Sequence, residues 1–409
     1  MNDTGSLTRH YSLRRDEPLW AALPGGGITT SRKIASKTYD VVIVGAGISG
    51  ALTAHALVGH GLKVLVVDRR RPVRGSSLAS TAMIQHEIDV PLHVLQNSVG
   101  SHRARRIWQR SAGAVEQLAQ MIVDLRVKCA FDRKRTLYLS GDEYGARALK
   151  AEVDARADAG IDAELLSGAR LRAHFGIDRT AAIDSGISAS ANPAQLTAGL
   201  FRHAREHGTE IVSGVEISDI QALGERVAIS TSRGALLSAG HVVFCTGYEF
   251  LQCLAHKSQK VMSTWAIASR PNLERPTWLD QYLVWEGSDP YLYFRSTPDG
   301  RVIVGGEDED GEEAYRDEAK RQRKSKRLVE KLADLTGIAV GQPDFQWSAP
   351  FAVTPQGLPM IGHAPGMKNV YVTMGFGGNG ITFSQIAAQL ISSEILGHHD
   401  ADWDLFPIE

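Results

Sequence analysis

Cysteine is scarce in this sequence, and its few copies show no spacing that indicates a metal site or a disulfide framework. Cys129, Cys245 and Cys253 are the three cysteines among 409 residues. They are too few and too scattered for either role, so a reducing, cytoplasmic environment is expected. The pair Arg14–Arg15 resembles the start of a twin-arginine export signal, but the following DEPLWAALPGGG lacks the apolar core of a signal peptide.

Long apolar runs and an excess of charge are absent as well. The most apolar window, VVIVGAGISGALTAHALV at 41–58, carries a histidine and clustered glycines, so no integral membrane segment is predicted. The 45 basic and 46 acidic residues give a formal net charge of −1. Without a basic surplus there is no electrostatic argument for a nucleic-acid partner, and a small-molecule partner is expected.

The order of predicted elements indicates an α/β chain with more than one domain, as expected for 409 residues. Residues 1–37 are polar and interrupted by glycine and proline, and we interpret them as an extension over the body. A strand, a glycine turn, a helix and a second strand are predicted for 38–68. The charged block 307–327 is predicted to be a loop followed by a solvated helix. Further helices are predicted at 98–127, 143–158, 194–207 and 380–395. Strand-rich segments are predicted at 210–247 and 258–310.

The motif GxGxxG is formed by Gly45, Gly47 and Gly50, between the first predicted strand and the first predicted helix. The first glycine permits a tight turn, the second lets a pyrophosphate approach bare backbone, and the third lets the helix pack closely on the strand. Amides at the helix N-terminus would face the phosphates, and Asp68 would bind the ribose hydroxyls. The motif predicts a dinucleotide site, and NAD enzymes and flavoproteins share it.

Three further segments favour FAD over NAD. The loop GSSLAST (75–81) offers hydroxyls where a long cofactor would continue beyond its pyrophosphate. The strand HVVFCTG (241–247) ends in a turn of small residues. The glycine-rich stretch GFGGNGITF (375–383) leads into a helix, whose N-terminus would stabilise negative charge on a flavin. The remaining alternative is a dehydrogenase that binds only NAD, and such an enzyme does not need the glycine-rich stretch at 375–383.

The order of these motifs resembles the D-amino-acid oxidase-like (DAO) family of FAD-dependent oxidoreductases, which includes glycine oxidase and sarcosine oxidase. The resemblance covers 38–397 and also includes ANPAQL, EIVSGVEISDI and TPQGLPMIG. It implies a Rossmann-like FAD-binding domain of the two-dinucleotide-binding-domain type, interleaved with a mostly antiparallel substrate domain. The implied FAD-binding segments are 38–97, 186–257 and 346–409, and the implied substrate-binding segments are 98–185 and 258–345.

The resemblance also implies which residues hold FAD. Ile217 would contact the adenine through its backbone, the hydroxyls of the GSSLAST loop would lie along the ribityl–flavin side, and the glycine turn would border the isoalloxazine ring. The implied set is Gly45, Ala46, Gly47, Ile48, Ser49, Gly50, Asp68, Arg69, Ser76, Ser77, Ser80, Thr81, Ile217, Thr246, Gly247, Gly375, Phe376, Gly378, Asn379, Gly380, Ile381 and Thr382.

Candidate catalytic residues come from three segments. Gln85 and His86 follow the GSSLAST loop, at the position where other family members place residues that contact substrate or flavin. Tyr293 and Arg295 would lie with Tyr291 on one face of a strand, with Arg295 as the basic residue available to bind a substrate. The last candidate, Asn379, lies within the glycine turn.

The sequence departs from the family pattern at two positions. The segment WSAPFAVTPQG (347–357) has no arginine where some members bind a substrate carboxylate, and Thr382 stands where sarcosine-oxidase-type members carry a lysine. Both departures weaken the expectation of a small amino acid as substrate. The sequence QHEID around His86 is not HExxH, and His398–His399–Asp400 is isolated, so no metal is predicted.

The resemblance implies hydride transfer to flavin from an amine or an N-substituted amino acid, with oxidation of the C–N bond to an imine. Oxygen or an electron carrier would accept the electrons. Because a neutral amine can lose a hydride directly, no catalytic base is predicted. Two alternatives keep FAD: a dehydrogenase that oxidises the C–O bond of a hydroxy compound, and a flavin-binding redox subunit that serves a partner protein.

Overall fold

The computed structural model describes residues 6–254 and 259–408, and these residues form two large β-sheets with helices packed against them. Their strands are β1 (Thr38–Val44), β2 (Val64–Asp68), β3 (Met83–Gln85), β4 (Asp132–Ser140), β5 (Ala163–Ser167), β6 (Ala181–Ser190), β7 (Glu210–Ser213), β8 (Ile217–Leu223), β9 (Arg226–Thr231), β10 (Leu236–Gly247), β11 (Lys260–Ala268), β12 (Tyr282–Gly287), β13 (Leu292–Ser296), β14 (Val302–Asp310), β15 (Phe345–Val353), β16 (Met360–Ala364) and β17 (Met367–Met374). Their α-helices are α1 (Leu19–Ala22), α2 (Ile48–Ala56), α3 (Leu92–Val99), α4 (Ser101–Asp124), α5 (Ala146–Asp158), α6 (Gly168–Phe175), α7 (Pro193–Glu206), α8 (Glu318–Thr336) and α9 (Gly380–Ile395).

The eight-stranded sheet has the order β16-β17-β10-β1-β2-β7, with β9 paired to β10 and β8 paired to β9. Its central strands β17, β10, β1, β2 and β7 run parallel to one another. The strand residues VVIV of β1 are β-branched and mostly buried, which is typical of a parallel strand covered on both faces. This arrangement confirms the predicted Rossmann-like unit and places the ends of β1, β2 and β10 beside one another.

The nine-stranded sheet has the order β15-β11-β14-β13-β12-β4-β6-β3, with β5 paired to β6. All of its pairs are antiparallel except β4 with β12. This confirms a mixed α/β fold with a second, mostly antiparallel sheet. The strands β3 and β15, and the end of β6, belong to this sheet although they come from segments predicted to bind FAD. The division into domains stays a prediction, and its boundary at 257/258 lies outside the described residues.

Three helices connect the sheet to the site. The helix α2 is apolar around most of its circumference and buries all of its first seven residues, so it lies inside the molecule, in contact with both α7 and α9. The start of α7 follows from its sequence: the Asn192 side chain accepts hydrogen bonds from the amides of Ala194 and Gln195 at 3.0 and 3.1 Å, and Pro193 occupies the first turn. Within the described part of the chain, no helix is long and apolar enough to cross a membrane.

Two predicted elements differ from the structure. The helical segment 98–127 is divided at Gly100, whose φ of 84° ends α3 and precedes α4. The charged block 307–327 does not begin as a loop, because β14 continues to Asp310 through pairing with β11. In the first case a glycine in the left-handed conformation interrupts the helical pattern. In the second, pairing with a strand distant in sequence overrides the local pattern.

The described part of the N-terminal extension, residues 6–37, is packed onto the body. It forms isolated bridges between Thr8 and Leu251 and between Arg15 and Ser348. Trp20 is 4% exposed, and its indole nitrogen donates a 2.6 Å hydrogen bond to the Ser80 carbonyl. The extension therefore contributes core contacts directly beside the GSSLAST loop.

We expect Trp20→Ala to lower the free energy of unfolding by about 3–5 kcal/mol, because it removes a buried indole and leaves a cavity. The matched control is Leu236→Ala, at a position that is 70% exposed, where a change within about 0.5 kcal/mol is expected. The measurement is the denaturant midpoint of the purified protein. Equal midpoints for the two variants would contradict a stabilising role for the extension.

Candidate functional site

Two glycines of the GxGxxG motif, Gly45 and Gly50, are required by close backbone contacts. A Cβ atom at Gly45, whose φ is 115°, would lie 2.3 Å from the Cys245 carbonyl oxygen. At Gly50 it would lie 2.0 Å from the Gly45 carbonyl oxygen. At Gly47 its nearest neighbour would be the Ser77 hydroxyl, at 3.0 Å. The first and third glycines thus allow β1, β10 and α2 to meet, while the second leaves open backbone at the start of α2.

One continuous cavity begins at this motif and extends to the glycine turn before α9. The N-termini of both α2 and α9 border it, so unpaired helix amides lie at two places on its wall. The predicted cofactor residues that line the cavity are Gly45, Gly47, Ile48, Ser49, Asp68, Arg69, Ser76, Ser77, Ser80, Thr81, Ile217, Thr246, Gly247, Phe376, Gly378, Asn379, Gly380 and Ile381.

Four predicted cofactor residues do not line the cavity. The amide of Ala46 donates to Asp68 Oδ2 at 2.7 Å, and Gly50 is covered by the turn above it. Gly375 has a φ of 75° and faces Thr354, to which an added Cβ would come within 3.0 Å. Thr382 donates its hydroxyl hydrogen to the Gln85 carbonyl at 2.8 Å. These residues lie behind the cavity wall and support its shape, and their contact with the cofactor stays a prediction.

At the dinucleotide end, Asp68 is held by the backbone. Its carboxylate accepts the amides of Ala46 at 2.7 Å and Arg70 at 2.6 Å. Burial raises the pKa of Asp68, and these two hydrogen bonds lower it in part. Ser77 accepts a hydrogen bond of 2.9 Å from the Ile48 amide, whereas the buried Ser76 hydroxyl has no partner among the described residues. An unpartnered hydroxyl at a helix N-terminus fits a site for phosphate oxygens.

A charged cluster beside Asp68 was not predicted. Glu249 accepts hydrogen bonds from Arg69 and, at 2.8 Å, from Arg70, and Arg70 also donates to the Tyr11 carbonyl at 2.9 Å. The Tyr11 amide donates to Glu249 at 2.8 Å in return. The cluster thus ties the N-terminal extension to the edge of the dinucleotide end. Its acid, Glu249, has no motif around it that sequence reasoning could have used.

At the other end of the cavity, the glycine turn closes on Asp89. The amide of Gly378 donates to Asp89 Oδ2 at 2.7 Å. Cβ atoms at Gly377 and Gly378 would lie 2.4 and 2.8 Å from the carboxylate oxygens of Asp89. Part of the requirement for glycine here therefore comes from a protein side chain. The side chain of Asn379 also holds the turn, by donating to the Glu87 carbonyl.

The walls around Asp89 are acidic and aromatic. Of the predicted catalytic residues, Gln85, Tyr293 and Asn379 line this part of the cavity. Sequence reasoning missed the lining residues Glu87 and Asp89, although both follow Gln85 closely. The other lining residues of this end that were not predicted as cofactor or catalytic residues include Tyr248, Thr264, Trp285, Tyr291, Pro350 and Phe351.

A second buried acid, Asp308, lies behind this wall on β14. Both carboxylate oxygens are buried without a hydrogen bond of good geometry. Burial raises the pKa of Asp308 to about 6, which the nearby hydroxyls of Thr264 and Tyr291 lower in part and the charge of Asp89 raises further. Asp89 and Asp308 are therefore within electrostatic reach of each other. Burial likewise raises the pKa of Asp89, and the Gly378 amide opposes that rise.

Two predicted catalytic residues lie outside the cavity. His86 is fully buried, with Nδ1 at 2.8 Å from the Ile187 carbonyl and its ring edge-on to Trp108; burial lowers its pKa. Arg295 is 1% exposed, and its guanidinium donates to the carbonyls of Thr81, Ala191 and Ser296 at 2.8–3.1 Å. Because these groups are saturated or enclosed by protein, we correct both predictions and assign them structural roles.

No group of three or more His, Cys, Asp or Glu side chains in residues 6–254 and 259–408 is arranged to hold a metal ion. The site is therefore described by its glycines, helix N-termini, hydroxyls and carboxylates. A dinucleotide fits one end, because the bare backbone at Gly47, the unpartnered Ser76 hydroxyl and the start of α2 meet there. The start of α9 offers a second anion-stabilising group at the other end.

The fold and this site define a flavoprotein oxidoreductase with two large sheets, and comparison with known proteins agrees. The sequence profile of the FAD dependent oxidoreductase (DAO) family matches residues 40–394. The chain belongs to this family, so FAD is its cofactor and it is an oxidoreductase. The predicted family and cofactor are thereby confirmed.

Solved structures share the fold at low sequence identity. Glycine oxidase from Geobacillus kaustophilus has a TM-score of 0.76 and 20% identity, with 91% of this chain and 99% of that chain covered. L-proline dehydrogenase from P. horikoshii has a TM-score of 0.73 and 17% identity, covering 91% and 97% of the two chains.

A curated relative is the putative Rieske 2Fe-2S iron-sulfur protein YhfW of Bacillus subtilis (strain 168). It is 22% identical over 356 residues, which is 86% of this chain and 68% of that protein. Several other relatives are longer still, and the chain spans 55–60% of their length.

We expect Gly47→Ala to weaken FAD binding at least about tenfold while leaving the fold intact, because the new methyl group lies where a pyrophosphate approaches the backbone. Among the described residues its one close neighbour is the Ser77 hydroxyl, at 3.0 Å. Gly113→Ala in α4, where nothing lies within 4 Å of an added Cβ, is the control. FAD titration of each apoprotein, with circular dichroism as the fold check, measures the effect. Wild-type affinity in Gly47→Ala would contradict the placement.

We expect Asp308→Asn to stabilise the protein increasingly as pH rises. The pKa of Asp308 is raised from 3.8 to about 6. Below pH 3.8 the carboxyl is protonated in both the folded and the unfolded state, so it does not change the free energy of unfolding. Above about pH 6 the carboxyl is ionised in both states, and burial of its charge lowers the free energy of unfolding by about 3 kcal/mol. The gain from the substitution should therefore grow by about 1–1.5 kcal/mol between about pH 5 and about pH 8.

The control for this change is Asp310→Asn, an exposed residue of the same strand, whose effect on stability should not follow that pH course. Unfolding of the FAD-bound protein is followed at several pH values. A gain for Asp308→Asn that is flat across this range would show that the Asp308 carboxyl is not raised in pKa.

Proposed function

We propose that the protein oxidises the C–N bond of a small amine substrate to an imine. The observation that carries this proposal is the chemistry of the cavity wall: none of the described residues that line it is a histidine or a lysine. Oxidation of a hydroxyl carbon is helped by a positioned base that takes the hydroxyl proton, and that base is most often a histidine. A neutral amine needs no such base, since its nitrogen lone pair assists the loss of hydride from the neighbouring carbon.

When bound, FAD supplies a two-electron acceptor for the hydride equivalent that leaves the substrate carbon, and oxygen or an electron carrier takes up the electrons afterwards. The substrate nitrogen gives up one proton, so that C=N replaces C–N. The residues of the protein orient the reactants and exclude water. The first amides of α9, at Gly380 and Ile381, have no partner within the helix and border the cavity.

The relative position of α9 and the end of β3 is held by side chains. Asn379 Nδ2 donates to the Glu87 carbonyl, and Thr382 Oγ1 donates to the Gln85 carbonyl at 2.8 Å. These two hydrogen bonds keep the start of α9 against the strand that brings Gln85, Glu87 and Asp89 to the cavity. A site of this kind aligns a C–H bond by shape and by contacts with the wall, without a catalytic triad.

The names of the structural neighbours support the same bond type. Glycine oxidase and L-proline dehydrogenase are named for amino acids, whose oxidisable carbon carries nitrogen. One name is that of an oxidase and the other that of a dehydrogenase, so the names are compatible with either oxygen or a carrier as the acceptor.

We expect the flavin absorption of the purified protein to bleach when an amine is added without oxygen, and to persist when a hydroxy acid of the same carbon skeleton is added. Stopped-flow absorbance measures the rate. Bleaching by hydroxy acids alone would favour C–O oxidation, and bleaching by no small molecule would favour a redox subunit that serves a partner protein. Admitting oxygen or an artificial carrier to the reduced protein then identifies the class of acceptor.

A further inference from the structure

We propose that the substrate carries a second, positively charged group and no carboxylate, and that Asp89 binds this cation among aromatic side chains, with the charge of Asp308 behind them. The proposal rests on the proposed amine oxidation for the reacting nitrogen. The cation site itself is argued from the side chains around it.

The basic residues of the cavity lie at its other end. Among the described residues that line the cavity, only Arg69 and Arg70 are basic. Both form ion pairs with Glu249 at the dinucleotide end. A substrate carboxylate would therefore find no arginine, lysine or histidine on the wall around Asp89. This agrees with the missing arginine in the segment 347–357.

The other charges near this end are already paired within the protein. Glu87 forms a buried ion pair with Arg156, at 3.0 Å, and Arg156 also binds Glu152 at 2.8 Å. The guanidinium of Arg295 donates to three backbone carbonyls and does not line the cavity. Neither cation is free to neutralise Asp89.

Asp89 is the acid that remains unpaired. It lines the cavity, its carboxylate is open to the cavity space although it lies inside the molecule, and it forms no ion pair with a described residue. Its partner is the Gly378 amide, which occupies Oδ2 at 2.7 Å. The carboxylate is thus oriented by the glycine turn before any substrate arrives, as expected of a preformed binding group.

Asp308 adds negative charge from behind the wall. The cation whose charge acts on it is Lys324, which also pairs with Glu307 at 3.5 Å and Glu309 at 3.4 Å. Lys324 lowers the pKa of Asp308, but the effect of burial is larger and keeps that pKa raised. A cation bound at Asp89 would favour ionisation of both carboxyls, and their ionised forms would favour the cation in turn.

Six aromatic side chains from the described part of the chain line this end of the cavity, which suits a cation and not an anion. Aromatic faces attract ammonium groups through the ring quadrupole and repel carboxylates. The aromatic side chains that line this end are Tyr248, Trp285, Tyr291, Tyr293, Phe351 and Phe376. Together with one oriented carboxylate, they form a site for the distal ammonium of a diamine or for a quaternary ammonium group.

Matched substrates test the class directly. A series of linear diamines is compared with the monoamine and the ω-amino acid of the same chain length, by the concentration that half-saturates anaerobic flavin reduction. We expect some diamine to bind about tenfold or more tightly than its monoamine and more tightly still than its amino acid. An amino acid that binds as well as the matched diamine would overturn the proposal.

A second readout does not depend on turnover. Tetramethylammonium has no nitrogen lone pair and cannot be oxidised by hydride loss, so calorimetric titration of the FAD-bound protein reports binding alone. We expect Asp89→Asn to weaken this binding about tenfold or more and Asp308→Asn to weaken it less, while Asp310→Asn, at the exposed end of β14, leaves it unchanged. The flavin spectrum of each variant confirms that the cofactor remains bound.

The outcomes separate the two proposals. If tetramethylammonium binds through Asp89 but no amine reduces the flavin, the cation site stands and amine oxidation fails. If monoamines or amino acids reduce the flavin and Asp89→Asn leaves tetramethylammonium binding at the wild-type level, amine oxidation stands and the cation site is wrong.

Discussion

The site depends first on the close approach of two backbones at Gly45. The carbonyl of Cys245 lies where a side chain at position 45 would begin, 2.3 Å from the ideal Cβ position. The neighbouring residues Val44 and Phe244 are partners in the parallel pairing of β1 with β10, so neither strand can move away without loss of the sheet. Gly50 then lets α2 start directly over this turn, with an added Cβ only 2.0 Å from the Gly45 carbonyl. The helix N-terminus consequently opens into a narrow space beside Thr246 and Gly247.

The same packing brings the glycine turn to the same cavity. The helix α9 packs against α2, and the hydroxyls of Ser49 and Ser384 are 2.7 Å apart although the residues are 335 positions apart in sequence. Two helix N-termini therefore face one ligand space from different parts of the chain. A cofactor with a negatively charged pyrophosphate at one end and an electron-accepting ring at the other is suited to this arrangement.

The parts of the site that could be predicted from sequence are those in which the backbone alone imposes a residue type. Gly45 and Gly50 are recognisable because only glycine permits their backbone contacts, and Gly47 because it leaves backbone bare for a pyrophosphate. Asp68 is recognisable because it follows at the end of the next strand. Arg295 was placed wrongly for the opposite reason. Strand alternation predicts which face a side chain occupies, but it does not say that the face is covered by the carbonyls of Thr81 and Ala191. The prediction for His86 was wrong for the same reason, because β3 and α4 enclose its side chain.

The acidic character of the substrate end could not be read from the sequence, because it arises from pairing across distant segments. Glu87 and Asp89 are close in sequence and look equivalent, yet Arg156 neutralises the first and a backbone amide orients the second. The glycines at 377 and 378, which suggested only a flavin, also make room for the Asp89 carboxylate. The family fold therefore explains how the chain binds FAD, whereas the charge left unpaired at Asp89 is a property of these particular side chains. Substrate choice is expected to follow that charge, because an unpaired carboxylate in an aromatic wall selects substrates first by the sign of their charge and then by their shape.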